Sequence, residues 1–165
     1  MDTSTTNANY YITKLNMQPH PEKGYFAESF RNSNKDFSYS NCHYLLNEKT
    51  VTLFRKIKSD ESIGIIDGKN IEIITINPDS GVTKILKLGK DIDNGEELSV
   101  IIPANYWASF SCRKEAKKAD FCITLLTVVP EFKLDELVIK EYTLLKEEIP
   151  KLNFSEIEKF VSDLE

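Results

Sequence analysis

The sequence has no cationic excess. Lys and Arg number 21 against 26 Asp and Glu, a formal net charge of −5. That argues against the concentrated basic face a nucleic-acid partner needs. The one dense basic run, Arg113-Lys114 with Lys117-Lys118, is interrupted by Glu115 and lies between apolar stretches, the pattern of a solvated loop. No apolar run approaches the length of a bilayer span, so no membrane partner is expected. The polar start MDTSTTNANYY lacks a basic region followed by an apolar one, so no signal peptide is expected. A phosphate-binding glycine loop, a dinucleotide fingerprint and a GxSxG elbow are all missing, and nothing points to ATP, NAD or a serine nucleophile. Cysteine is scarce and unpatterned: Cys42, Cys112 and Cys122 form no CxxC pair. An odd count with no secretory leader fits reduced thiols in a cytoplasmic protein. A Cys112–Cys122 disulfide across the intervening loop is the lesser reading.

What is present suits one folded domain. The chain has 165 residues, 41% of them apolar, enough for a single sizeable core. Residues 1–8 are small and polar and read as a disordered tail. Residues 9–165 then form one domain. Tyr11, Leu15 and Ile12 favour a short helix over 9–18. HPEKGYFAESFR (20–31) is a Pro/Gly turn running into an extended segment. Short strands follow at 40–47, 51–58, 70–76, 82–89, 98–102, 106–112 and 120–130, with turn signals such as Asn94-Gly95 between them. Regular short strands of this kind give an all-β sandwich or small barrel. After Pro130 the pattern turns helical, with Leu134, Leu137, Leu144 and Leu145 over 134–148. In the last segment Ser155 and Glu158 have capping-box spacing, and Ile157, Phe160, Val161 and Leu164 form one apolar stripe. That stripe packs on the barrel or on a partner subunit.

The ordered motifs HPEKGYFAESFRNS, LFRKIKSDESIGIIDG, GEELSVIIPANYWASF and TLLTVVPEF, followed by two helical segments, resemble the cupin superfamily. The closest pattern is that of small single-barrel cupins of unknown function. The resemblance implies a jelly-roll barrel (a double-stranded β-helix) with a short N-terminal helix and C-terminal helices. It also implies a homodimer. The general cupin metal motif sets two histidines before a glutamate and a glycine, with a fourth ligand after a later proline turn. Glu61 and Gly68 match that motif, but Arg55 and Ile57 stand at the histidine positions, and Ala108 at the fourth. A catalytic transition metal needs about three protein ligands, and a fixed cation at Arg55 repels another. No metal and no cofactor are therefore expected in the barrel. The alternative ligand set is His43 with Glu61 and Glu28.

Residues of one parity share a strand face, so Arg55, Ile57, Ser59 and Glu61 go together. If that face looks inward, Arg55 either pairs with Glu61 or grips a ligand carboxylate or phosphate in a two-pronged way. If it looks outward, Arg55 is a solvated edge residue. Trp107 is either core or a stacking wall for a ligand. Glu28 and Arg31 either line the pocket mouth or lock the N-terminal strand. His20 reads as a turn residue. His43, with Tyr44 or Tyr106, is the visible option for proton transfer. Three functions follow. The first is metal-independent binding of a small polar, anionic or sugar-like molecule by Arg55, Glu61, Trp107, Glu28 and Tyr106. The second is a sugar epimerase or isomerase-type enzyme with His43 or Glu61 as base. The third is an inert barrel kept for protein contacts. A solid interior around Ile57, Ile65 and Phe110 favours the scaffold, and an open cavity walled by Arg55 and Trp107 favours binding.

Overall fold

The computed structural model describes residues 7–112 and 119–162. The basic run at 113–118 and the stripe residue Leu164 lie outside the described residues. So does most of the expected tail. Asn7 and Ala8, assigned to that tail by composition, belong instead to the first helix. The Asn7 side chain accepts from the Tyr10 amide and caps α1 (Ala8–Lys14), whose Ala8 is buried.

The chain then alternates strand and turn. In order come β1 (Gln18–Pro19), β2 (Tyr25–Asn34), β3 (Phe37–Asn47), β4 (Thr50–Val51), β5 (Phe54–Lys56) and β6 (Asp60–Gly68). After them come β7 (Ile71–Ile76), β8 (Thr83–Leu88), β9 (Ser99–Ile102), β10 (Trp107–Cys112), β11 (Phe121–Val129) and β12 (Val138–Lys140). One six-stranded sheet runs β1-β2-β3-β11-β6-β9, and the facing sheet runs β12-β5-β10-β7-β8 with β4 beside β10. Among the described residues the named strands pair antiparallel with one another, and one isolated parallel bridge joins Leu88 to Glu97.

Several segments differ from expectation. The strand expected over 51–58 is split into β4 and β5. Residues 60–68 form a long strand of their own, because β6 is clasped between β11 and β9. The helix expected over 134–148 is broken: a 3₁₀ turn at Leu134–Glu136, then β12, then α2 (Tyr142–Glu148). Strand β12 interrupts it and pairs with β5; sheet hydrogen bonds there stop the helix from running through. The final helix α3 (Phe154–Ser162) starts one residue before Ser155, so Ser155 lies inside it rather than capping it. Its hydroxyl donates to Asn153 Oδ1 at 2.8 Å.

The core has three parts. Between the sheets, Ile63, Ile73, Leu86, Leu88, Phe110 and Leu126 fill one end of the barrel. On the outer face of the second sheet, Phe54, Ile74, Ile76 and Trp107 are covered by Leu145 and Ile149 near α2 and by Ile157 and Phe160 of α3. On the outer face of the first sheet, Leu45, Phe121 and Ile123 lie under Ala8 and the other apolar residues of α1. No disulfide joins Cys42, Cys112 or Cys122. Among the described residues no helix is long and apolar enough to cross a membrane.

Candidate functional site

Beside the filled end, the space between the sheets stays open. A cavity of about 70 Å³ is lined by Arg55, Glu61, Glu22, His20, Cys42 and Tyr44, with Phe26, Glu28, Phe132 and Leu137 also in its wall. Strand alternation places these groups. In β5, Phe54 turns outward to the C-terminal helices, so Arg55 turns inward. In β3, Ser40, Cys42 and Tyr44 face the cavity, while Leu45 faces α1.

Arg55 is the centre of the site. It is 4% exposed and Glu61 is 3% exposed. Its Nη1 donates to both Glu61 oxygens at 2.6 Å. Its Nε lies 3.0 Å from Glu22 Oε2, an ion-pair distance without hydrogen-bond alignment. Its Nη2 is buried and has no hydrogen-bond partner. The guanidinium also sits 4.8 Å from the centre of the Phe110 ring, in a cation–π contact. Burial works against the charge on Arg55, but Glu61 and then Glu22 outweigh it and hold the cation more firmly than usual.

Glu22 enters from the turn between β1 and β2. Lys23 and Gly24 both have positive φ, 91° and 79°, and this folds the turn back over the barrel. The Tyr44 hydroxyl donates to the Lys23 carbonyl at 2.7 Å, and the Leu53 amide donates to the Glu22 carbonyl at 3.1 Å. The Glu22 carboxyl is thus fixed inside at 2% exposure. Burial pushes it up to about 7, Arg55 pulls it down, and the Glu61 charge adds to the rise. His20 accepts the Glu22 amide at its Nδ1, at 3.3 Å. Its ring is set edge-on to Phe26 and Tyr44. Burial, with the nearby Arg55 charge, lowers His20 to about 4, so its imidazole is neutral at neutral pH. Burial also raises the Cys42 thiol to about 12 and the Tyr44 phenol well above its usual range. Neither is a nucleophile near neutrality.

The other expected residues lie elsewhere or act differently. Glu28 is in the cavity wall, where Arg31 clamps it with bonds of 2.9 and 2.5 Å and reaches Glu131 at 2.6 Å. It therefore both borders the cavity and ties β2 to the segment after β11. Trp107 is fully buried on the outer face of the second sheet, between Lys56 and Lys140, with its indole N–H directed at Glu148. A packing role replaces the ligand contact expected of it. Tyr106 accepts from Asn77 Nδ2 at 2.9 Å and lines a separate depression with Thr75 and Asn77. His43 alternates with Cys42 and Tyr44 and so points away from the cavity; the base expected there cannot reach it. For the same reason His43, Glu61 and Glu28 do not converge. Glu22 is the residue the sequence reading missed. The signal was its place inside HPEKG, one of the motifs carrying the cupin resemblance.

The residues present do not fit a metal. The position between Glu61 and Glu22 is taken by a guanidinium, a fixed cation. Among the described residues no group of three His, Cys, Asp or Glu is arranged to hold one.

Family comparison agrees with this architecture. The model described as Cupin superfamily (DUF985) matches residues 9–139. The chain belongs to this cupin family. Two solved cupin-fold structures resemble it along nearly their whole length. A hypothetical protein from Leishmania major is 20% identical over 93% of this chain and 98% of its own, with a TM-score of 0.79. A protein from Shewanella oneidensis is 21% identical over 97% and 98%, with a TM-score of 0.81. Oxalate decarboxylase from Bacillus subtilis is more distant, 14% identical over 86% of this chain and 36% of its own, with a TM-score of 0.56. At these identities the likeness is one of fold. No curated protein matches the sequence.

Proposed function

We propose that this cupin is a metal-independent binding protein whose barrel takes the polar end of a small molecule. The observation that carries the reading is Arg55: a buried guanidinium in a cavity wall with one nitrogen, Nη2, left without a partner. Buried polar groups are nearly always satisfied, and an orphan in a cleft points to a ligand or ordered water. Size narrows the ligand. Pockets for whole metabolites measure about 300–1,000 Å³, whereas this cavity holds about 70 Å³. It accepts a group of a few heavy atoms, not a whole sugar, and the remainder of a larger ligand must extend past Glu28 and Phe132.

Native mass spectrometry and elemental analysis of the purified protein test the reading. A retained organic molecule, with no transition metal in proportion to protein, is the expected result. One transition metal per chain overturns it. The same spectrum reports the oligomeric state, for which the family resemblance implies a homodimer.

The isomerase-type alternative is supported by one observation, the Glu22 carboxyl beside Arg55 with its ionisation near neutrality. Groups so tuned serve as general bases. Exchange of solvent deuterium into a retained ligand at the carbon next to its acidic group would support it, and absence of exchange would leave binding alone.

A further inference from the structure

The charges around Arg55 restrict what can bind beside it. One cation already faces two buried carboxylates: Glu61, held through Nη1, and Glu22, 3.0 Å from Nε. The other groups facing Glu22 add no positive charge. His20, in the same turn, is neutral, and Tyr44 and Cys42 from β3 hold their protons. Lys23 turns away and donates to the Val51 carbonyl at 3.0 Å. At the mouth, Arg31 is shared between Glu28 and Glu131 and brings no surplus. The segment past β11 contributes Phe132 and Leu137, which are uncharged.

A ligand anion added here would place three negative charges about one guanidinium in a site of low polarity, which is strongly unfavourable. One carboxyl must therefore give up its charge. Glu61 takes two hydrogen bonds from Arg55 Nη1 and is fully engaged by it. Glu22 has an ion-pair contact without alignment and its Oε2 accepts no hydrogen bond, so burial outweighs the pull of Arg55 and Tyr44 toward its charged form.

We propose that the cavity binds a small monocarboxylate together with one proton, the proton going to Glu22. This rests on the binding reading above and names its ligand class. The ligand carboxylate meets Arg55 while Glu22 becomes a neutral acid. No bond to carbon is made or broken; the proton comes from solvent and returns there on release. Dianions are excluded, because no second group in the cavity is placed to discharge them. Burial already brings Glu22 up to about 7, so the proton is available at little cost near neutral pH.

The test is acetate affinity as a function of pH, followed by NMR, with neutral acetamide as the isosteric control. For the wild type, acetate affinity falls about tenfold per pH unit between about pH 7.5 and 9, the slope of one proton taken up. E22Q, neutral by construction, binds acetate with no such slope. Acetate binding that is flat with pH in the wild type overturns the proposal while leaving the binding reading intact, and this profile decides even if E22Q fails to fold. Binding of acetamide but not acetate does the same. Binding of neither overturns both.

Discussion

Arg55 Nη1 lies 2.6 Å from both oxygens of Glu61, six residues further along the chain. The pair stands where the cupin pattern places a metal and its glutamate. A buried ion pair adds little net stability over an apolar replacement, but losing one partner strands the other. Arg55→Met leaves Glu61 and Glu22 buried without a cation. It should lower stability by about 3–5 kcal/mol near neutral pH. The loss should shrink in mild acid, where Glu22 carries its proton. Urea unfolding at two pH values checks both the size and the direction.

His20 and Glu22 should act against each other as pH changes. Glu22 has its folded value raised from 4.5 to about 7. It contributes stability that is fully present below the unfolded value and is lost as pH rises through that window. His20 has its folded value lowered from 6.5 to about 4. Its stability is present above the unfolded value and is lost as pH falls through that window. The windows overlap, so the wild type should be nearly flat between about pH 4.5 and 6.5 as far as these two groups are concerned. E22Q should expose the His20 slope and lose stability on acidification. His20→Asn should expose the Glu22 slope and gain stability on acidification. Melting temperatures across that range separate the two.

The legible part of this protein was the part fixed by spacing. Glu61 and Gly68 located the β5–β6 segment within a cupin barrel. Strand parity put Arg55 and Glu61 on one face of a single strand, whereas they stand on β5 and β6 of the two facing sheets and meet across the space between them. Two things escaped. Trp107 reads identically whether it faces the cavity or the outside. The answer depends on α2 and α3, which lie some 40 residues on and cover the outer face. Glu22 sits in a Pro/Gly turn, where charged residues are ordinarily solvated. It is buried because positive φ at Lys23 and Gly24, with the Tyr44 hydroxyl beneath, folds the turn inward. The leucines of 134–148 misled because Leu134 opens and Leu137 caps a 3₁₀ turn while Leu144 and Leu145 belong to α2, with β12 between them. Pairing of β12 with β5 is a long-range fact that no local period records.

Trp107 offers a control on the site assignment. It is fully buried among Phe54, Ile76, Leu145 and Phe160. Trp107→Ala should cost about 3–5 kcal/mol through the void it leaves. Trp107→Phe keeps most of the packing and should cost less. Since neither touches the cavity wall, the folded Trp107→Phe protein should bind acetate as the wild type does. An affinity change of tenfold or more would put Trp107 back among the ligand contacts.

Gly68, the other surviving landmark of the metal motif, has a structural reason to be glycine. It ends β6 with φ at 86°, and a Cβ there would stand 2.2 Å from the Phe121 carbonyl oxygen. The left-handed conformation alone costs a side-chain-bearing residue about 1–2 kcal/mol. The clash is with backbone, which cannot swing away as a flexible side chain would. Gly68→Ala should therefore lose more than that amount in chemical denaturation. Gly95 is the comparison: its φ is 84°, but nothing lies within 4 Å of its Cβ position. Gly95→Ala should show the conformational cost without the clash. Equal losses at the two sites would mean that close packing against β11 is not what fixes Gly68.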